Sequence, residues 1–370
     1  MKIGILKETQ KGEKRVSISP NIAKQLIEKG FEIIVEEDAG ASSNFKNSDY
    51  KKIGAIVERR GVVYKDANIL IKINPFEEDG LKLVDKSHIL MSQLFHKSHP
   101  EIIEEIASKG ATAFSMDAMP RISRAQDMDV LSSQNNLAGY KAVILGAYEM
   151  TKIFPLMMTA AGTITPSRVL VYGVGVAGLQ AIATAKRLGA IVEATDIRLE
   201  TKEQTESLGA KFITVENEGE TSEGGYAKVA SEDYANKQKE AVNKSLFKAD
   251  LVITTAMIPG RKSPVLITEE QVKQMKNGAV IIDLAAAQGG NCELSKMNKT
   301  VIKYGVKIIG TSISPESVST NASDLYAKNM YNFIIHLTEN NEFKWDFDEE
   351  ITDETLIVHE GKIRKNEKIK

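Results

Sequence analysis

The sequence predicts an α/β protein built from two doubly wound, Rossmann-like domains joined by two long helices. Three observations lead there. Short uncharged runs rich in Val, Ile and Leu recur along the chain, as strands buried on both faces require. Helical patterns alternate with those runs, which is how a parallel sheet receives its crossovers. One stretch, Val169–Asp196, carries a complete strand–turn–helix–strand signature, VLVYGVGVAGLQAIATAKRLGAIVEATD. A length of 370 residues suits two domains rather than one.

In order, the first domain offers strands at Lys2–Leu6, Phe31–Val35, Ile69–Ile73, His88–Leu94 and Ala111–Ser115, with helical patterns such as Asn21–Glu28 and Glu101–Ser108 between them. No glycine fingerprint follows any of these strands. Residues 121–136, RISRAQDMDVLSSQNN, form a polar interruption. A helix is then expected over Leu137–Phe154, with Tyr140, Val143, Ala147 and Met150 on one face and Pro155 as its stop. The second domain carries strands at Val169–Tyr172, Ile191–Thr195, Phe212–Val215, Leu251–Thr255, Val280–Leu284 and Val306–Ile309. Glu216–Lys237 is a polar tract longer than usual strand–helix connections. A second amphipathic helix begins at Asn321, with Tyr326, Met330, Phe333 and Leu337 on one face, and carries the chain back. The expected division is 1–136 with 321–370 as the first domain and 137–320 as the nucleotide domain. The charged tail after Asn340 is expected to be solvated and frayed.

Composition narrows the function classes. A net charge of -2 and a pI near 6.3 give no electrostatic basis for binding nucleic acid or an anionic membrane. The single cysteine, Cys292, allows no intrachain disulfide and fits a reducing compartment. The first residues, MKIGILKE, enter a strand directly without a signal-peptide pattern. Even the most apolar stretches, such as Ile153–Gly162, are too short to span a bilayer. A cytoplasmic protein without direct membrane insertion is the expectation.

The chemistry concentrates in Gly173, Gly175 and Gly178, which have G-x-G-x-x-G spacing directly after a strand. The first glycine permits the tight turn, the second lets backbone approach a pyrophosphate, and the third lets the helix pack close to the strand. Val176 and Ala177 lie between them, where the helix N-terminus presents its positive end to phosphates. Asp196 ends the second strand, where a carboxylate accepts hydrogen bonds from an adenosine ribose diol and repels a 2′-phosphate. Arg198, two residues on, could tolerate that phosphate. NAD(H) is favoured over NADP(H).

The runs MPRISRAQDMDVLSSQNNLAGYKAV and FPLMMTAAGTITPSRVLVYGVGVAGLQAIATAKRLGA, then EGGYAK, ITTAMIPG and IIDLAAAQGGNCE, carry a family resemblance. The chain resembles the NAD(H)-binding alpha subunits (domain I) of proton-translocating nicotinamide nucleotide transhydrogenases. Alanine dehydrogenase shares that fold, and KETQKGEKRVSISP is similar to its N-terminal segment. The resemblance implies that Arg121, Gln126 and Asp129 frame the nicotinamide as the catalytic set, with Ser132 close by. Gln126 then lies nearest the incoming second nicotinamide. It implies that Gly225 and Tyr226 belong to a loop closing on bound nucleotide. Thr255, Ala256 and Met257 are implied at the NAD ribose or nicotinamide, and Ile197 beside Asp196 and Arg198 in the cofactor set. It further implies a homodimer, docking on membrane-spanning and NADP(H)-binding components, and a place peripheral to the membrane through those partners.

Plainer roles exist for the same residues. The 121–136 stretch could be a polar interdomain loop with Ser132 or Ser133 capping a helix. Arg15 could pair with nearby acids, and His96 could be a hydrogen-bonded histidine at a strand end. The basic residues Lys362, Arg364, Lys365, Lys368 and Lys370 could approach an anionic membrane surface or simply aid solubility.

Alanine dehydrogenase needs proton-transfer groups that this chain lacks. Asn74 stands where its lysine would be, and Ala287 where an aspartate precedes Gln288-Gly289-Gly290. Arg15 and His96, which match its oxo-acid contacts, are retained. Direct hydride exchange between two dinucleotides requires none of those acids or bases. An amino-acid dehydrogenase and a non-catalytic NAD(H) sensor stay as alternatives.

Overall fold

Two compact units divide the chain: Met1–Gln134 with Pro315–Lys370, and Asn135–Ser314. The computed structural model describes residues 1–215, 232–258, 261–310 and 315–364. Strands of the N-terminal stretch are β1 (Lys2–Ile5), β2 (Glu32–Glu36), β3 (Ile56–Glu58), β4 (Ile69–Ile71), β5 (Ile89–Ser92) and β6 (Thr112–Ser115). The middle of the chain adds β7 (Met157–Thr159), β8 (Gly162–Ile164), β9 (Arg168–Tyr172), β10 (Ile191–Thr195), β11 (Lys211–Phe212) and β12 (Leu251–Thr254). Next come β13 (Val280–Asp283), β14 (Thr300–Lys303), β15 (Val306–Ile309), β16 (Thr338–Glu339), β17 (Glu342–Phe343), β18 (Leu356–His359) and β19 (Lys362–Ile363).

The first unit holds a sheet in the order β19-β18-β6-β5-β4-β1-β2-β3. From β3 to β6 it is parallel in the 3-2-1-4-5-6 order of doubly wound folds. Side chains alternate across it. Ile3, Ile5, Ile33, Val35, Ile69 and Ile71 enter one core cluster, whereas Ile34, Leu70, Leu90 and Ala113 enter another. Burial on both faces explains why these strands read as continuous apolar runs. The second unit repeats the scheme with the order β11-β10-β9-β12-β13-β15-β14, parallel except for β14. Val169, Val171, Leu251 and Ile253 face one core, and Leu170, Tyr172 and Val252 the other.

Several expectations are corrected. The long helix runs Val130–Glu149, starting seven residues before Leu137 and stopping before Phe154. Asp129 is its cap: Oδ1 accepts the Ser132 N–H at 2.9 Å and Oδ2 the Ser132 hydroxyl at 2.6 Å. Ser133 back-bonds to the Val130 carbonyl instead. The polar run is tolerated inside the helix because Gln134, buried, accepts from Arg15 Nη1 and donates to the Ala322 carbonyl. Tyr140 is exposed, and the buried face is Ala138, Ala142 and Val143.

The second long helix, Ser319–Leu337, lies wholly in the first unit, with Tyr326, Met330, Phe333 and Leu337 in its core. The charged tail is not frayed as far as it is described. β18 pairs antiparallel with β6, and Ile351, Leu356, Ile357 and Val358 are fully buried. The apolar residues of that tail are few but alternate correctly for a sheet edge. Arg364 belongs to the fold, bonding Asp353 at 2.6 Å and lying over the Phe347 ring. The apolar stretch after Ile153 forms an exposed hairpin, β7–β8, rather than a segment of a core.

Candidate nucleotide site

The carboxyl edge of the second sheet is built around the turn between β9 and the helix Val176–Arg187. Gly173 has φ +89°, and a Cβ there would stand 2.6 Å from Thr255 Oγ1. A Cβ on Gly178 would meet the Gly173 carbonyl at 1.9 Å, so only glycine permits this packing. Nothing lies within 4 Å of the Cβ position of Gly175. That opening beside a helix N-terminus with no side-chain cap is the cradle a pyrophosphate requires. Gly139 was not anticipated from sequence. Its Cβ would meet the Ala177 carbonyl at 2.1 Å, because the long helix presses directly on the start of the fingerprint helix.

Asp196 closes the edge. Its Oδ2 accepts the Val174 N–H at 2.6 Å, and Oδ1 the Arg198 N–H at 2.8 Å. The Arg198 guanidinium adds two contacts at 3.1 Å. Burial works to raise the Asp196 pKa, but these donors outweigh it and hold the carboxyl below its usual range. The Arg198 side chain is half exposed, so a ribose diol gains access by displacing the guanidinium while the Val174 bond stays. Ile197 is 97% exposed, beyond the carboxylate.

Across the β9/β12 switch point, Thr255 Oγ1 donates to the Gly173 carbonyl at 3.0 Å, tying the strand end to the glycine turn. Ala256 is half-buried, and Met257 and Ile258 are exposed at the same edge. Sequence reasoning missed Gln238, which donates to the Ile213 carbonyl at 2.8 Å and accepts the Val215 N–H at 3.2 Å beyond β11. It also missed the buried pair Asp283 and Asn291. Gly225 and Tyr226 lie outside the described residues.

Arg121, Gln126, Asp129 and Ser132 belong to the first unit. Ala125 and Met128 anchor their loop in its core, and Asn329 and Asn332 both donate to the Asp127 carbonyl. Gln126 and Arg121 are exposed, while Asp129 and Ser132 are bonded to each other.

The corresponding edge of the first sheet holds carboxylates. Glu8 accepts the Ile73 N–H and the Asn74 amide, and Glu36 accepts the Lys7 N–H. Burial raises the pKa of both. Glu13 takes Arg15 on both oxygens, at 2.8 and 2.6 Å, and Asn74 at 2.9 Å. Arg15 thus pairs with a nearby acid. This edge is no phosphate cradle. Among the described residues no group of acids, histidines or cysteines could hold a metal, and no helix is long and apolar enough to cross a membrane.

Two doubly wound units, one carrying a dinucleotide turn closed by a carboxylate, define a nucleotide-dependent oxidoreductase. The chain belongs to the alanine dehydrogenase/PNT family, whose N-terminal domain matches residues 4–138 and whose C-terminal domain matches residues 142–366. Within that family it is of the NAD(P) transhydrogenase alpha-subunit type. It is 53% identical to an NAD(P) transhydrogenase subunit alpha of Rhodospirillum rubrum, over 90% of this chain and 89% of that one. Its identity to the Rickettsia prowazekii protein of the same name is 43%, over 98% and 96%. The crystal structure of a transhydrogenase from Sinorhizobium meliloti superposes with a TM-score of 0.89 at 40% identity, covering 98% of this chain and all of that one. Alanine dehydrogenase 1 of Staphylococcus aureus is more distant, at 28% identity over 98% of this chain and 94% of that one.

Proposed function

We propose that the second unit binds NAD(H) and that hydride passes directly between it and NADP(H) carried by a separate component. Asp196 carries this reading: a carboxylate at the end of β10 suits a ribose diol and opposes a 2′-phosphate. The amides of Val176 and Ala177 would hold the pyrophosphate, entered through the open side of Gly175. Ile197 would flank the adenosine, and Thr255, Ala256 and Met257 the nicotinamide half. Arg121, Gln126, Asp129 and Ser132 would frame the nicotinamide, whose carboxamide offers one acceptor and two donors. The bound cofactor supplies the transferable hydride. The chain's own residues orient the ring and keep water away, and none need exchange a proton.

A membrane-spanning partner would translocate the proton, its conformation coupled to the nucleotide exchange, and would hold this chain at the membrane. A homodimer accounts for the β7–β8 hairpin. Leu156, Met157, Met158 and Ile164 are 55%, 43%, 76% and 42% exposed there, and a second copy would cover them. A monomer in sedimentation velocity at micromolar concentration would overturn that.

The decisive experiment mixes the purified chain with an NADP(H)-binding component and follows reduction of an NAD analogue by NADPH. Transfer supports the proposal. NADH binding without transfer leaves a sensor, and alanine-dependent NAD reduction by the chain alone makes it an amino-acid dehydrogenase.

A further inference from the structure

β12 and β13 lie side by side and end in register at Thr254 and Asp283. Asp283 is fully buried, and its carboxylate takes four donors. Oδ1 accepts the Thr254 hydroxyl and the Ala285 N–H, both at 3.0 Å. Oδ2 accepts the N–H groups of Asn291 at 2.9 Å and Cys292 at 3.0 Å. Gly289 and Gly290, at φ +98° and +81°, turn the chain so that these amides reach it. A Cβ on Gly290 would stand 2.9 Å from Asp283 Oδ2.

This anchor delivers Asn291, itself fully buried, to the strand-end loop. Its Oδ1 accepts the Ala256 N–H at 3.0 Å, and its Nδ2 donates to the carbonyls of Ala256 and Pro264, both at 2.8 Å. The side-chain amide pairs with both backbone groups of Ala256 as a neighbouring strand would. Exchanging its O and N would set donor against donor and acceptor against acceptor, so the orientation is fixed by its partners. Thr255 is tied the other way, to the Gly173 carbonyl. Residues 255 and 256 are therefore clamped from both sides, leaving Met257 exposed at the edge.

We propose that Asn291 is a positioning residue for the nicotinamide half of the dinucleotide. Anchored by Asp283, it fixes the backbone of Thr255–Met257, on the side of the switch point opposite Asp196. The inference rests on the NAD(H) reading above. It makes the Gln288-Gly289-Gly290-Asn291 segment a support for the cofactor rather than a source of acid or base.

The test compares Asn291→Ala with the wild-type chain in NADH fluorescence titration and 5′-AMP calorimetry. AMP probes only the adenosine half. NADH dissociation constants should rise at least about tenfold, with loss of the emission change of bound dihydronicotinamide, while AMP binding stays within about twofold. Equal weakening of both ligands, or of neither, overturns the positioning role. A wild-type chain that binds neither NADH nor AMP brings down the nucleotide reading itself, an outcome visible before any variant is made. Should the variant not fold, hydrogen exchange on the ligand-free wild-type chain decides. The Ala256 amide should be strongly protected, and exchange at open-loop rates refutes the clamp.

Discussion

Alanine at Gly175 and alanine at Gly178 should fail in opposite ways. At Gly178 the new Cβ would sit 1.9 Å from the Gly173 carbonyl, against 3.4 Å for an ordinary contact, so helix and turn must separate by about 1.5 Å. Overpacking of this kind costs about 1–3 kcal/mol. In a unit of this size that lowers the melting temperature by roughly 2–12 °C. At Gly175 the backbone is extended, φ -82° and ψ -167°, and the Cβ would meet nothing within 4 Å. Stability should hold or gain up to about 1 kcal/mol, because alanine restricts the unfolded chain. The same methyl group occupies the approach to the helix amides, so NADH affinity should fall about tenfold or more, near 1.4 kcal/mol. Thermal unfolding and NADH titration of both variants read the two effects separately. Wild-type NADH affinity in Gly175→Ala would refute the pyrophosphate cradle, whatever Gly178→Ala does.

Asp196→Ala should weaken NADH about tenfold and narrow the preference over NADPH, measured by competitive titration. With its pKa held below 3.8, Asp196 itself should give NADH binding no pH dependence above about pH 5. Gln126→Asn should slow NADPH-driven transfer strongly while NADH affinity stays nearly constant. Lost affinity with transfer intact would make Gln126 a simple binding residue. Burial opposes ionisation of Glu349, but the Thr352 N–H and His336 outweigh it and bring its pKa down to about 2, from 4.5. Its contribution, on the order of 1 kcal/mol, is present above pH 4.5 and lost as pH falls towards 2, so Glu349→Gln should flatten that region of an acid-unfolding curve. Ending the chain after Glu339 removes β18 and the buried Ile351, Leu356, Ile357 and Val358. At about 1.5–3 kcal/mol each, their loss should unfold the first unit, detected by circular dichroism and solubility.

The parallel strands and the dinucleotide turn were legible because both signals are local. Val169–Tyr172 is apolar on both faces, and three glycines at fixed spacing follow it. What escaped depends on distant partners. The helix start at Val130 was hidden because Ser132, Ser133 and Gln134 read as loop until Asp129 and Arg15 are seen satisfying them. β18 was hidden in a charged tail because its pairing strand, β6, lies more than two hundred residues earlier. Asn291 gave no local signal, since its three bonds run back to residues 256 and 264. Glycine against backbone is similar: nothing beside Gly139 in sequence reveals the Ala177 carbonyl that excludes a side chain there.

The two sheets share a strand order yet treat negative charge oppositely, and the residues at their carboxyl edges explain it. In the second unit the turn after β9 leaves helix amides open at Gly175 and places one carboxylate, Asp196, at the far end of β10. An anion is welcome at the first position and a diol at the second. In the first unit the residues following β1 and ending β2 supply Glu8 and Glu36, and Glu13 joins them through Asn74 and Arg15. The donors that an oxo-acid carboxylate would need are taken up by the chain's own acids, and Asn74 has no proton to lend at neutral pH. Deamination requires such a proton carrier beside the nicotinamide, whereas exchange between two nicotinamides requires only that the rings meet. Substituting Lys at Asn74 would restore a titratable amine but set it between Glu8 and Glu13, where ion pairing would keep it charged rather than basic.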